Sequence, residues 1–312
     1  MLPRAPGQGQ QGVALIMAIL AVTLASIAAV AMATRQQVDI RRTANVLNME
    51  QASMYVYGGE AWAGRILSAD LKNNSIDTRG DNWATVLPPV PVEGGQIGGF
   101  IQDQQARFNL NSLILSANRP LARQRFERLL DHLGLDKGLA DSLIDWLDPD
   151  GNVTLPDGAE DNEYLGRGQQ AYRTANRPLA HVSELLLIQG FDRLAYERLL
   201  PFVCAINADT AININTAPKE VILTLAQGLT DGDVEPLLQE QERGGFSNLS
   251  EFTQHSVFAG KGLSPEGLSL SSQHFLLTSR VMIGRARQEV ESLLYRGNDG
   301  DIIVRLRRPV EH

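Results

Sequence analysis

The densest set of groups able to do chemistry lies between residues 145 and 163. Asp145, Asp148, Asp150, Asp157, Glu160, Asp161 and Glu163 supply seven carboxylates there, with no Lys or Arg among them. The formal net charge of the 312-residue chain is −8, so nearly all of its excess charge sits in one short stretch. Pro149, Gly151, Pro156 and Gly158 predict a loop rather than a helix, which denies the carboxylates a solvated helical face to spread over. A hard divalent cation would offset their repulsion, since Ca²⁺ takes about six to eight oxygen ligands at roughly 2.3–2.6 Å. Asp148, Asp150, Asn152, Asp157, Glu160 and Asp161 are the candidate ligands. The alternate spacing of Asp148, Asp150 and Asn152 matches the first half of an EF-hand loop. The second half fails, because Val153 replaces the turn glycine and Ala159 the closing glutamate. The expectation is a calcium loop of another kind. An acidic solvated loop and a pair of carboxylates doing acid/base work are the alternatives.

Catalytic signals are weak elsewhere, and the expectation is a protein that is not an enzyme. His132, His181, His255, His274 and His312 are scattered, none paired at metal-ligand spacing, and there is no G-x-S-x-G elbow. Cys204 is the sole cysteine and stands between Val203 and Ala205, so it reads as a buried, inert thiol. Leu133-Gly134-Leu135, Gln189-Gly190-Phe191 and Gln227-Gly228-Leu229 look like the turns of helical hairpins, a unit that can hold DNA phosphate. They lack the basic surroundings that such binding needs, so no nucleic-acid partner is expected and the turns read as packing or partner surfaces.

The elements that would position the acidic stretch are helical. Arg123 to Leu133, Lys137 to Leu147, Val182 to Ile188, Asp192 to Leu200, Pro218 to Gln227 and Val234 to Glu242 carry Leu, Ile and Val at helical spacing. Asn213-Ile214-Asn215-Thr216-Ala217-Pro218 predicts a helix start with Asn or Thr as the cap. Strand patterns flank this block. Gly94 to Ile101 reads as extended before Arg107-Phe108-Asn109-Leu110-Asn111. Phe275 to Ile283, Gln288 to Tyr295 and Ile302 to Leu306 follow it. Asn298-Asp299-Gly300 predicts a tight hairpin, with Ile302, Val304 and Leu306 facing inward and Arg305 and Arg307 outward. Pro88-Pro89-Val90-Pro91 reads as a loop. Strands from the two ends must therefore pair around a large helical insertion.

The N-terminus decides where such a protein lives. From Val13 to Thr34 there are 22 residues without a charge, the length of a membrane-spanning helix, and helix-permitting sequence continues without proline to about Leu71. Gly58-Gly59 is the soft point of that long helix. A secretory signal peptide would have a shorter apolar core followed by a small-residue cleavage site. A short leader ending in Gly12, followed by Val13-Ala14-Leu15-Ile16, resembles the type IV pilin-like N-terminus. That resemblance implies cleavage after Gly12 by a prepilin peptidase and N-methylation of Val13. Most pilins have glutamate at the fifth mature position, which is Met17 here. In a filament that carboxylate would neutralise the amine of the neighbouring subunit, a need that vanishes at the filament tip. An ordinary membrane anchor is the alternative.

With Arg107-Phe108-Asn109-Leu110-Asn111, Asp145-Trp146-Leu147-Asp148, Gly158-Ala159-Glu160-Asp161, Ser183-Glu184-Leu185 and Asn213 to Pro218 in this order, nearly the whole chain resembles the minor pseudopilin K family of the bacterial type II secretion system. The resemblance implies an α+β, type IV pilin-like fold, a long N-terminal helix on a small antiparallel sheet, with a large inserted all-α domain. The expected divisions are a leader at 1–12, a transmembrane part at 13–34, pilin-like segments at 35–111 and 274–312, and the helical domain at 112–273. It implies structural calcium and assembly with minor pseudopilins I and J at the tip of a filament of the major pseudopilin. The anchor would lie in the inner membrane and the rest in the periplasm. A minor pilin of a type IV pilus or DNA-uptake system, and a membrane-anchored periplasmic calcium-dependent enzyme, are the competing readings.

Overall fold

The computed structural model describes residues 11–310, apart from 167, 169 and 170. The expected leader falls almost wholly on residues 1–10, and His312 at the other terminus; both lie outside the described residues. The first element is helix α1, Gln11–Asn73, 63 residues long and about 95 Å by helical rise. Its most apolar 18-residue stretch, near the N-terminus, has a mean hydropathy of 2.7 and no residue buried against the rest of the chain. From Ala52 onward one stripe is buried: Ala52, Val56, Glu60, Ala63, Leu67 and Asp70, at spacings of three and four. Gly58-Gly59 does not break the helix. A Cβ on Gly59 would stand 3.3 Å from Ser279 Oγ, so the small residue brings the helix close to the sheet it packs on.

That sheet has five antiparallel strands: β1 (Leu87–Val92), β2 (Gly95–Asp103), β7 (His274–Ile283), β8 (Ala286–Arg296) and β9 (Ile302–Pro309), in that spatial order. β2 pairs with β7 from Gly95 opposite Ile283 to Asp103 opposite Phe275, which joins the two ends of the chain as the sequence requires. Leu67, Trp83, Ile101, Phe275 and Leu294 form the main core beneath α1, and Ala52, Val56, Val281 and Ile283 a second patch.

Two expectations for the sheet are corrected. The proline-rich Pro88–Pro91 stretch is part of strand β1, not a loop. An edge strand tolerates residues that cannot donate, because one side of its ladder is unpaired. The predicted alternation of β9 fails at Arg305. Leu294 pairs with Val304 while Leu293 pairs with Leu306, so Arg305 is the extra residue of a bulge. Leu306 is thereby exposed and Arg307 turned onto α1, where it meets Glu60. The β8–β9 turn spans Gly297 to Asp301, with Gly300 at φ +86°.

Between β2 and β7 run α2 (Ser112–Leu115), α3 (Arg119–His132), α4 (Leu139–Leu147), α5 (Asp161–Leu165), α6 (Arg193–Leu199), α7 (Lys219–Leu223), α8 (Asp231–Glu242) and α9 (Leu249–Thr253), with a 3₁₀ turn at Val182–Leu187. Two short parallel ladders tie the block together, β3 (Phe108–Asn109) to β4 (Val203–Cys204) and β5 (Ile212–Asn213) to β6 (Leu268–Ser269). Phe126, Leu129, Leu130, Leu143, Leu147, Leu185, Ile214 and Phe252 lie in one core. Gly134, Gly190 and Gly228 all have positive φ, a backbone suited to turns between helices. At the first, Leu135 N–H reaches back to Leu130 O, a helix ending that favours glycine. Cys204 is buried, and burial pushes its thiol up to about 12.

The helix start at Asn213–Pro218 also differs. Pro218 is the N-cap of α7, and neither Asn215 nor Thr216 caps it. Asn213 Nδ2 donates to Asp77 O and Asp103 Oδ2, Thr216 Oγ1 donates to Asp103 Oδ2, and Asn215 exchanges hydrogen bonds with the backbone of Phe246. Asn213 and Thr216 thus join the helical block to Asp103 of the sheet, and Asn215 ties the block to itself. Asn109 and Asn111 do the same work within the block, holding Ile206, Ala208 and Leu179.

Candidate metal centre

The acidic stretch is bracketed by two helix ends. α4 delivers Asp141 and Asp145 from one face, and Asp148 is its C-cap, the 141/145/148 spacing being that of a single helical stripe. Beyond Gly158 no breaker occurs until Gly166, and Asp161 and Glu163 lie in the first turn of α5, where acidic side chains suit the helix dipole. The prediction that the stretch is non-helical is therefore corrected for residues 161–163. Glu160 is the N-cap residue.

The connecting loop is folded back on the end of α4. Thr154 N–H donates to both oxygens of the fully buried Asp145, at 3.0 and 3.1 Å. Gly158 N–H donates to Thr154 O at 2.7 Å, and Ser142 Oγ to Asp157 O at 2.9 Å. Trp146, Tyr164 and Tyr172 pack ring against ring on the neighbouring side, with centroids 5.3–6.1 Å apart.

Asp145, Asp148 and Glu160 repel one another, and among the described residues none of the three has an ion-pair partner. Burial, followed by the charges of Asp150 and Asp145, pushes Asp148 up to about 6. Burial, then Asp145 and Asp148, likewise raises Glu160 above the usual carboxylate range. Asp148 Oδ1 and Glu160 Oε1 are buried and accept no hydrogen bond from a described residue. Buried, orphaned oxygens on Asp148 and Glu160, beside the Asp145 carboxylate, are of the hard-oxygen type that a divalent ion takes.

The other candidates are placed differently. Asp150 Oδ1 accepts from Asn152 N–H at 2.9 Å and from Asn152 Nδ2 at 2.7 Å, a local turn in which both residues are exposed. Asp157 is exposed and close to Gly138, and its N–H points to Asp141, which pairs with Arg123. Asp161 accepts from Thr174 Oγ1 and N–H and pairs with Arg173; the Thr174 hydrogen bonds first, and the Arg173 charge after them, hold its carboxyl below the usual range. Asp145 was missed as a candidate ligand, although its position four residues after Asp141 and three before Asp148 was visible in the sequence.

Two histidines prove to be helix caps. His181 and Glu184 form a reciprocal capping box, and His255 accepts from Val257 N–H. At the other end of the chain, α1 runs unbroken across Gly12 and Val13, and Met17 is exposed on it.

The profile of the family described as type II secretion system (T2SS), protein K matches residues 106–208 and again 212–271. Type II secretion system protein K of Pseudomonas aeruginosa is 38% identical, over 96% of this chain and 93% of its own. The protein of the same name from Klebsiella pneumoniae is 34% identical, over 91% and 92%. A chain in the crystal structure of the GspK-GspI-GspJ complex from the enterotoxigenic Escherichia coli type 2 secretion system superposes with a TM-score of 0.77 at 30% identity, covering 87% of this chain and all of that one. The long helix, the antiparallel sheet and the inserted helical block are thus a pilin-like fold with an added domain, and this chain belongs to the type II secretion system protein K family.

Proposed function

We propose that this chain caps the tip of a type II secretion pseudopilus together with minor pseudopilins I and J, anchored in the inner membrane with its folded part in the periplasm. The observation that carries the reading is the likeness to a chain of the GspK-GspI-GspJ complex over that chain's whole length. The structure supports it physically. The N-terminal half of α1 and Val38, Ile40, Val46 and Leu47 beyond it are exposed, with nothing among the described residues covering them. An apolar surface of that extent calls for lipid at one end and neighbouring helices at the other. Met17 leaves α1 without the carboxylate that would neutralise a further subunit's amine, which suits the last position in a filament. The helical block adds bulk beside the sheet rather than a catalytic constellation, so capping is a steric role.

Asp145, Asp148 and Glu160 would hold the calcium ion, with Asp150, Asn152, Asp157 and Asp161 close by in the same loop. The ion would supply the positive charge that the three carboxylates lack and stiffen the α4–α5 connection. Processing after Gly12 and methylation of Val13 by a prepilin peptidase complete the proposal. Cells lacking this chain should retain folded secretion substrates in the periplasm, and the full-length gene should restore export. Unimpaired export without it would overturn the capping role.

A further inference from the structure

A second acidic cluster lies far from the loop, at the C-terminal end of α1. Asp70 from the last turns of the helix, and Asp77 and Asp81 from the segment that follows, place one carboxylate oxygen each within 4.8 Å of one another. Asp77 is 1% exposed and Asp70 9%. Arg296 of β8 meets two of them, Nη1 at 3.3 Å from Asp70 Oδ2 and Nη2 at 2.5 Å from Asp77 Oδ2. Its guanidinium is also committed to Leu67 O and Ser272 O and lies over the Phe275 ring. Three carboxylates against one guanidinium leave two negative charges uncompensated. The free carbonyls at the end of α1 add to that excess, since a helix C-terminus carries partial negative charge.

The orphaned atom is Asp77 Oδ1. Oδ2 of the same carboxylate accepts from Ser272 N–H and Arg296, whereas Oδ1 is buried with no donor among the described residues. Asp81 spends Oδ2 on Thr78 N–H and keeps its other oxygen. Oxygens bound to one ion at about 2.3–2.6 Å stand up to roughly 5 Å apart, which accommodates the observed spacing. We propose that Asp70, Asp77 and Asp81 form a divalent-cation site of the hard, oxygen-ligand class that Ca²⁺ occupies, pinning the end of α1 to the helical block. The neighbouring contacts give the site that role. Asp77 N–H donates to Leu270 O, and Asp77 O accepts from Asn213 Nδ2. Burial and the neighbouring charges of Asp81 and Asp77 push the Asp70 carboxyl up to about 6, as a cluster short of positive charge requires.

The test is equilibrium dialysis of the detergent-solubilised full-length chain against ⁴⁵Ca²⁺ at neutral pH, with the loop site disabled by Asp148→Asn and Glu160→Gln. One ion per chain should remain, and adding Asp81→Asn, at a half-exposed position, should weaken it at least about tenfold. In the otherwise native chain Asp81→Asn should lower the count by one, whether or not the loop binds, so the two sites succeed or fail separately. Binding that is absent from the loop variant, or identical with and without Asp81→Asn, would overturn the site and leave Asp70 and Asp77 sharing a proton instead. Should Asp81→Asn not fold, terbium titration of the loop variant replaces it. Tryptophan-sensitised emission that Ca²⁺ displaces is expected, Trp83 being two residues from Asp81, and no such emission would count against the site.

Discussion

A Cβ atom on Gly158 would overlap Oδ2 of Asp145 and the carbonyl oxygen of Thr154. The glycine is there because the loop must close onto a buried carboxylate. Gly158→Ala should therefore push Asp145 off the Thr154 amide and lower stability by about 1–3 kcal/mol, the usual cost of overpacking. Calcium affinity should fall with it. Calorimetric titration of the variant beside the unchanged chain checks both effects, and equal affinities would contradict the placement of Asp145.

Calcium that binds only the folded state adds stability by mass action, about 2.7 kcal/mol at a hundredfold excess over Kd. Chelation should then lower the melting temperature by about 5–10 °C. Differential scanning calorimetry in excess EGTA, after confirmed metal removal, reads this. An unchanged melt would rule out a stabilising ion at either acidic site.

Arg307 Nε and Nη2 lie 2.6 and 2.7 Å from the two oxygens of Glu60, which also accepts from Ser292 Oγ. Glu60 is nearly buried and Arg307 half-exposed. Removing the cation strands a buried carboxylate, so Arg307→Ala should cost about 1–3 kcal/mol, and Glu60→Gln less, because the amide keeps an acceptor for both partners. Urea unfolding of the two variants should rank them in that order.

His274 is buried beside Tyr295 with Gln105 Oε1 3.2 Å from Nδ1. Burial first, and the charge of Arg305 second, lower it from 6.5 to about 4. A depressed folded value means that the unfolded chain binds the proton more readily in this window. The contribution of His274 is whole above pH 6.5 and is lost as pH falls through about 4, a span worth on the order of 3 kcal/mol. Asp70, raised to about 6, works in the opposite direction. The difference between the unchanged chain and His274→Gln isolates the histidine: it should favour the unchanged chain less and less as the pH falls from 6.5 to 4. A pH-independent difference would show that His274 does not titrate.

What could be read from the residues follows the range of the interaction. The split sheet, the glycine turns and the long helix are local patterns, and Gly134, Gly190 and Gly228 adopt the backbone their neighbours imply. The bulge at Arg305 was hidden because the contact it serves, Arg307 with Glu60, spans 247 residues of sequence. Asn213 and Thr216 looked like caps because nothing nearby shows that Asp103 and Asp77 are waiting for them. Prolines in β1 mislead unless the strand is known to be an edge. At the acidic loop, charge density was plain in the sequence. Which carboxylates are buried depends on the fold-back of Thr154 and on the aromatic wall, so Asp145 emerged only in three dimensions.

The most direct test of the capping account is light scattering of the detergent-solubilised full-length chain mixed with the same organism's minor pseudopilins I and J, in calcium and then in EGTA. A complex of one copy of each in calcium is the predicted result. Three components that scatter independently under both conditions, with α1 intact, would contradict it.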